Sequence, residues 1–244
     1  MGHPDWIVPD WAAPAHVRAL VTTRSGGASE GVWTSMNLAL HVGDDPDAVR
    51  LNRSILRASL PADPVWLDQV HGHSVVDAST SVAAVRADAS FARRRGVVCA
   101  VLTADCLPVL LCDHAGTVVA AAHAGWRGLS SGIVEATVDA MGVAPDSIMA
   151  WLGPAIGPSA FEVGSEVREI FCDGDLEAQS AFAPGARPGK WLADLYLLAR
   201  VRLIRAGVVQ VAGGSRCTYR EGRHFYSYRR DGITGRFASL VWLT

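Results

Sequence analysis

Three apolar runs follow one another with little pause in the middle of the chain: Gly96–Thr103, Leu107–Cys112 and Thr117–Ala122. Their links are hairpin-short, whereas a parallel crossover needs about a dozen residues or more. Much of the sheet they enter must therefore be antiparallel or mixed. Elsewhere strands and helices alternate. Ala19–Thr23 reads as a strand ended by the turn Arg24-Ser25-Gly26-Gly27. Asp45–Leu60 reads as a helix, with Pro46 in its first turn and Val49, Ile55, Leu56 and Leu60 as its apolar stripe. Pro64–Val70 and Ser74–Asp77 are short strand candidates. Ser130–Met141 reads as a helix burying Ile133, Val134, Thr137, Val138 and Met141. Ser147–Leu152 is a strand closed by Gly153-Pro154. Ser165–Cys172 and Leu192–Ala206 read as helices, Val208–Ala212 and Ala238–Leu243 as late strands, Phe225–Arg229 as a further strand candidate, and Ala183–Lys190 as a surface loop. The expectation is one α/β (α+β) domain over residues 1–244, a size at which half hydrophobic residues can form a sizeable core.

Composition removes several function classes. A formal net charge of −2, with acids and bases interleaved, argues against a nucleic-acid surface. The start MGHPDWIVPDW has no basic segment followed by an apolar one, so no signal peptide is expected, and the longest apolar runs are too short to span a bilayer. Five cysteines, an odd number with no close pair, argue against a disulfide framework and for a reducing, cytoplasmic setting. No Gly-x-Gly-x-x-Gly or P-loop motif supports a dinucleotide or NTP site.

The chemistry concentrates in Cys99-Ala-Val-Leu-Thr-Ala-Asp-Cys106-Leu-Pro and Ala122-His123-Ala-Gly-Trp-Arg127-Gly. A hairpin folded about Ala115 sets Leu107 opposite His123 and Cys106 opposite Ala124, bringing thiol and imidazole to the same end. A one-residue slip keeps them close but changes which face each side chain takes. Gly125 and Gly128 permit close backbone approach, and a helix starting near Ser130, with Arg127 beside it, would attract an anion. A thiolate with two imidazoles is a good zinc set that leaves one tetrahedral position open. The third ligand could be His71 or His73. Plainer roles fit other residues: Cys99, Cys112 and Cys172 as core, His3, His16, His114 and His224 as structural or surface groups, and Arg229-Arg230 as a solvated or salt-bridged pair. His41 could stiffen a loop or line a pocket.

Nine segments, in order and over nearly the whole chain, carry a resemblance. They are Thr22-Thr-Arg24, Asn37-Leu-Ala-Leu-His-Val-Gly-Asp44, Gln69-Val-His71-Gly, Thr103-Ala-Asp-Cys106-Leu-Pro, Ala122-His123-Ala-Gly-Trp-Arg127-Gly, Trp151-Leu-Gly-Pro-Ala-Ile-Gly-Pro158, Phe161-Glu-Val-Gly164, Arg216-Cys-Thr218 and Phe225-Tyr-Ser-Tyr-Arg-Arg230. In these the chain resembles the YfiH-like laccase-domain proteins, first called multicopper polyphenol oxidases and later described as zinc-containing purine nucleoside phosphorylases. The resemblance implies a layered α/β/β/α mixed-sheet fold of the cytotoxic necrotising factor type. It implies a metal, zinc with copper as the alternative, on His71, Cys106 and His123, which favours His71 over His73. It implies phosphorolysis of adenosine, inosine, guanosine and methylthioadenosine, and deamination of adenosine. The glutamate of the His-x-Glu motif that other zinc deaminases use has no counterpart here.

Arg24, Asn37, Gln69 and Arg127 are the expected substrate-binding residues, with Arg24 and Arg127 for phosphate. The expected partners are purine nucleosides and phosphate, without nucleic acid or membrane, and the expected state is a monomer or weak homodimer. Competing readings are a cysteine hydrolase, or peptidoglycan-editing factor, with Cys106 as nucleophile and His123 as base, and a copper phenol oxidase. The oxidase needs a histidine-rich trinuclear cluster that eight scattered histidines do not suggest. A metal-stabilised binding module is the non-catalytic alternative, which a fourth protein ligand would favour and an open coordination position would count against.

Overall fold

The computed structural model describes residues 5–80 and 84–244. The chain opens with β1 (Val17–Val21) and α1 (Pro46–Arg57), whose cap Asp45 accepts from the Asp47 N–H at 3.0 Å. Six strands follow: β2 (Pro64–Val65), β3 (Val75–Asp77), β4 (Ala89–Ala92), β5 (Val98–Thr103), β6 (Leu107–Asp113) and β7 (Val119–Ala124). Next come α2 (Trp126–Ser130), α3 (Ile133–Met141), β8 (Ile148–Leu152), β9 (Glu162–Gly164), α4 (Ser165–Cys172) and α5 (Leu176–Gln179). The chain ends with β10 (Phe182–Pro184), β11 (Lys190–Ala193), α6 (Leu195–Arg205), β12 (Gln210–Gly213), α7 (Tyr228–Asp231) and β13 (Phe237–Leu243).

One sheet has the order β1-β13-β5-β2, a second β12-β8-β6-β7-β4-β3, and a small third β10-β11-β9. The second is mixed: β12 runs parallel to β8 and β3 to β4, and its other pairs are antiparallel. The two large sheets face each other, and strand alternation shows it. Leu107, Val109 and Leu111 pack with Ile133, Val134 and Val138 under α3. Leu110, Cys112, Val119 and Ala121 pack between the sheets with Cys99, Val101, Phe237 and Val241. Val98, Ala100 and Leu102 turn the other way, onto Leu56 and Leu60 of the α1 segment. The order of layers is α/β/β/α. Both faces of β5, β6 and β7 are covered, which is why those strands read as unbroken apolar runs.

Several local expectations change. The helix drawn from Ser130 is two helices: α2 starts at Trp126, and Gly132, at φ 94°, turns the chain before α3. Residues 190–193 pair as β11, and α6 starts only after Asp194, whose carboxylate accepts from the Leu197 N–H at 3.0 Å. Ala183–Lys190 contains the turn of the β10–β11 hairpin. Phe225–Arg229 is not a strand, because Ser227 caps α7. Past Val65 the expected strand leaves the sheet. Gln69 takes over the pairing with a side-chain amide that bonds Leu102 through both ends, at 2.8 and 2.9 Å. Among the described residues no helix is long and apolar enough to cross a membrane.

Candidate functional site

The β6–β7 register pairs Leu107 with Ala124 and Pro108 with His123, one residue away from the expected pairing. The offset matters because side chains alternate. Leu110, Cys112, Val119 and Ala121 point between the sheets. In this register Cys106 and His123 share that face, as diagonal neighbours at the open end of the sandwich. The expected register would have set them on opposite faces.

Two non-glycine residues in left-handed backbone conformations shape the turns here, Asp105 at φ 92° and His71 at φ 61°. Asp105 is held by Thr218 Oγ1 at 2.6 Å, by the Arg229 N–H at 2.7 Å, and through its carbonyl by the Ile156 N–H at 2.9 Å. His71 is held through Asp88, which lies one residue before β4 and is fully buried. The Asp88 carboxylate accepts from the N–H groups of Val70 (3.2 Å), His71 (2.9 Å) and Gly72 (2.7 Å), and from His123 Nδ1 (2.8 Å). One carboxylate thus fixes the loop of one histidine and the ring of the other.

His71 Nε2 lies 3.8 Å from Cys106 Sγ, and the donor atoms of His71, Cys106 and His123 all lie within 4.8 Å of one another. Nitrogen and sulfur ligands of a tetrahedral zinc, at about 2.0 and about 2.3 Å, stand roughly 3.6 Å apart; the His71–Cys106 pair is near that spacing, and the group as a whole would close slightly on a metal of that size. Asp88 on Nδ1 leaves His123 Nε2 free for the cluster, the outer carboxylate that metal-bound histidines commonly have. Among the described residues this is the one group of such donors, and it contains no fourth protein ligand. His73 is exposed and outside it. Gly125 is needed for closeness: a Cβ there would meet Cys106 Sγ at 2.8 Å and His71 Cδ2 at 3.2 Å.

Charge is strongly coupled in the metal-free group. Burial alone would push the Cys106 thiol up, but the His123 imidazolium and hydrogen bonds from both histidines hold it at about 6. Burial opposes charge on His123 as well, yet the Cys106 thiolate and Asp88 raise it to about 9. Asp88 stays below the usual carboxylate range despite burial, because His123 and the loop N–H groups stabilise its anion.

The group opens on a cavity of about 400 Å³, walled by Trp126, Phe161 and Tyr228 and reached by Arg127, Arg229 and Arg236. The expected substrate residues divide. Gln69 and Arg127 line this cavity, and Arg24 and Asn37 do not. Arg24 is committed to the carbonyls of Thr34 and Gly222, each at 3.0 Å, and to the Tyr226 ring. Asn37 is fully buried and bonds Asp44, both backbone groups of Ala39, and the Arg236 N–H at 2.9 Å. It braces the entry to β13 behind the cavity. His41 does line the pocket, as does Arg229, which had read as a surface residue. Sequence reasoning missed Asp88, Asp105 and Arg236. The sole available signal for Asp88 was the general need of a buried, ligating histidine for an acceptor.

A family model described as multi-copper polyphenol oxidoreductase laccase matches residues 18–244. The chain is 59% identical over 238 residues to a purine nucleoside phosphorylase of Pseudomonas aeruginosa, covering 98% of each. It is 55% identical over 240 residues to the purine nucleoside phosphorylase YfiH of Escherichia coli, covering 97% of this chain and 98% of that one. A crystal structure of a Neisseria meningitidis protein superposes with a TM-score of 0.94 at 53% identity, over 98% of this chain and 99% of the other. With the fold, the donor group and these likenesses in agreement, the chain belongs to the YfiH-like family of laccase-domain proteins.

Proposed function

We propose that the chain is a zinc-dependent purine nucleoside phosphorylase that also deaminates adenosine. The observation that carries this is a three-donor group without a fourth protein ligand, opening on a cavity of about 400 Å³, in a chain more than half identical to proteins named purine nucleoside phosphorylases. That volume suits a small ligand, and the rings of Trp126, Phe161 and Tyr228 offer flat apolar walls to a purine.

His71, Cys106 and His123 would hold the metal. A bound zinc supplies Lewis-acid polarisation at its open coordination position. Asp88 keeps the His123 proton on Nδ1, and the left-handed turns at His71 and Asp105 bring His71 and Cys106 to the cavity. Phosphorolysis forms a bond from a phosphate oxygen to the ribose C1′ and breaks the bond from C1′ to N9, so the base leaves with the electron pair. Deamination replaces the 6-amino group by oxygen from water and releases ammonia. The five cysteines are all unpaired, which suits a cytoplasmic enzyme. The test is metal analysis of the purified protein with a nucleoside panel assayed with and without phosphate. Free base and ribose 1-phosphate should form only with phosphate, and inosine should form from adenosine without it. Absence of both products from zinc-loaded protein defeats the reading.

A second reading has a specific observation behind it. Asp88, His123 and Cys106 also have the order of orienting acid, base and thiol found in cysteine hydrolases, with a thiol already lowered to about 6.

A further inference from the structure

We propose that Arg127, Arg229 and Arg236 form the subsite that holds inorganic phosphate beside the His71–Cys106–His123 group, an assignment that rests on the phosphorylase reading above.

These three are the arginines of the cavity lining, and the one carboxylate there, Asp105, is engaged by Thr218 and by the Arg229 backbone N–H. Some arginines outside the cavity have acidic partners, Arg187 with Glu162, Arg202 with Glu135 and Arg216 with Glu221, and others, such as Arg24, Arg53 and Arg200, donate to carbonyls. Arg230, adjacent to Arg229, pairs with Asp231 at 2.7 Å. Among the described residues, no ion pair to a carboxylate is made by Arg127, Arg229 or Arg236. Arg236 has Asp105 and the Cys106 thiolate as charged neighbours, and Arg127 and Arg229 leave the cavity with positive charge that suits an anion.

The way the guanidiniums are held points to an oxyanion. Arg127 lies over the Trp126 ring at 4.4 Å and Arg229 over the Phe161 ring at 5.4 Å. The ring contact holds each guanidinium at the cavity wall without using its N–H groups, which can make bidentate bonds to oxygen. Arg229 gives one edge donor to the Glu162 carbonyl at 2.8 Å, and the Arg127 guanidinium donates no hydrogen bond among the described residues. Arg236 is anchored by the carbonyls of Thr234 and Gly235 at 3.0 and 2.9 Å. Burial pulls its guanidinium below the usual value, so an anion beside it relieves a desolvated charge. A tetrahedral dianion offers oxygens to several such edges at once, whereas a neutral nucleoside does not. Arg24, the other candidate, has its donors on carbonyls outside this cavity.

The 5′-phosphate of a nucleotide has the same chemistry, so the test separates the two sources. Zinc-loaded Arg127→Gln, Arg229→Gln and the double variant are assayed for phosphorolysis of inosine, for deamination of adenosine without phosphate, and for phosphate binding by calorimetry. Arg236 is left intact because its guanidinium also ties the turn before β13. Each single variant should raise the phosphate KM by about tenfold or more, the loss expected for a charge-assisted hydrogen bond. The inosine KM and adenosine deamination should change far less than the phosphate KM, and adenosine 5′-monophosphate should be a poorer substrate than adenosine. An unchanged phosphate KM, or deamination falling in step with phosphorolysis, overturns the subsite. So does a preference for the nucleotide, which would assign the arginines to a 5′-phosphate. If the parent enzyme releases no base with phosphate, the phosphorylase reading fails on its own account. Calorimetry then decides the subsite: phosphate heat present in the parent and lost in the double variant upholds it, and no heat in the parent overturns it.

Discussion

Asp88 Oδ1 accepts from the His123 imidazole at 2.8 Å and also from the main-chain N–H of His71 at 2.9 Å, so one oxygen sets the position of both histidines. The other oxygen takes the N–H groups of Gly72 and Val70. A carboxylate can serve this all-donor surround because it only accepts. The bond to Nδ1 also fixes the tautomer, so His123 offers Nε2 to the cluster.

Asp88→Asn should therefore be far from neutral despite its equal size. If the amide oxygen takes the Oδ1 place, Gly72 and Val70 lose their acceptor. If it takes the Oδ2 place, the NH₂ faces His71 N–H and forces the His123 proton onto Nε2. Each orphaned buried donor costs about 1–3 kcal/mol. Zinc affinity should fall by roughly 10–100-fold, the usual effect of losing such an outer carboxylate. A thermal melt and a competition titration against a chromophoric chelator read these separately. Unchanged zinc affinity would show that Asp88 only braces the loop.

Gly125→Ala tests closeness without backbone strain. Gly125 sits at φ −62° and ψ 161°, which any residue can adopt. An added methyl would nevertheless meet Cys106 Sγ at 2.8 Å, inside any normal contact. The thiol must move, so metal content and activity should drop while the far-UV circular dichroism spectrum stays that of the parent. Full zinc occupancy in the variant would mean that the group has slack the structure does not show.

The hairpin and its Cys106/His123 pair were legible in sequence because the apolar runs and the turn Asp113-His114-Ala115-Gly116-Thr117 left one way to fold. The register was not. Asp113 accepts from the N–H groups of Thr117 and Val118 through its side chain, and such a side-chain-closed turn shifts the pairing by one residue without altering the pattern. β4 was invisible because Ala89-Ser-Phe-Ala92 has no branched residue and no alternation, and Asp88 was hidden with it. Asn37 and Arg24 stand in conspicuous motifs, but their bonds hold loops together, and motif strength alone does not distinguish a loop brace from a ligand contact. Arg236 stood in no quoted motif and reaches the cavity only because β13 pairs with β5.

Proton release offers a check on the charge state of the site. With Cys106 at about 6 and His123 at about 9, the metal-free pair at neutral pH is thiolate and imidazolium. Cys106 needs no deprotonation to bind zinc there, but His123 must give up a proton. Calorimetry in buffers of different ionisation enthalpy should find about one proton released per zinc at neutral pH. As pH falls through 6 the thiol also becomes protonated, so release should rise and affinity weaken. Release near zero at neutral pH would mean His123 is already neutral in the metal-free protein.

Two roles are open to Cys106, metal ligand and nucleophile. A nucleophile must be free to form a covalent bond, and its base must be free to carry a proton. A zinc-bound sulfur has its electrons committed to the metal, and a zinc-bound His123 cannot act as a base. If Cys106 is a ligand, chelation should abolish activity and zinc should restore it. Iodoacetamide should label the zinc form slowly. After chelation labelling should be fast, its rate rising as pH climbs through about 6, below the pKa of about 8.5 of an ordinary thiol. Cys106→Ala should remove activity while the protein stays soluble, because the three apolar layers do not depend on one half-buried thiol. Under the hydrolase reading the order reverses: chelators are harmless, the active enzyme alkylates fast, and substrate protects it. The ligand role is the stronger because His71 also lies 3.8 Å from the thiol, a second imidazole that a simple acid–base–thiol triad does not require. Full turnover by protein verified to be free of metal would reverse that choice.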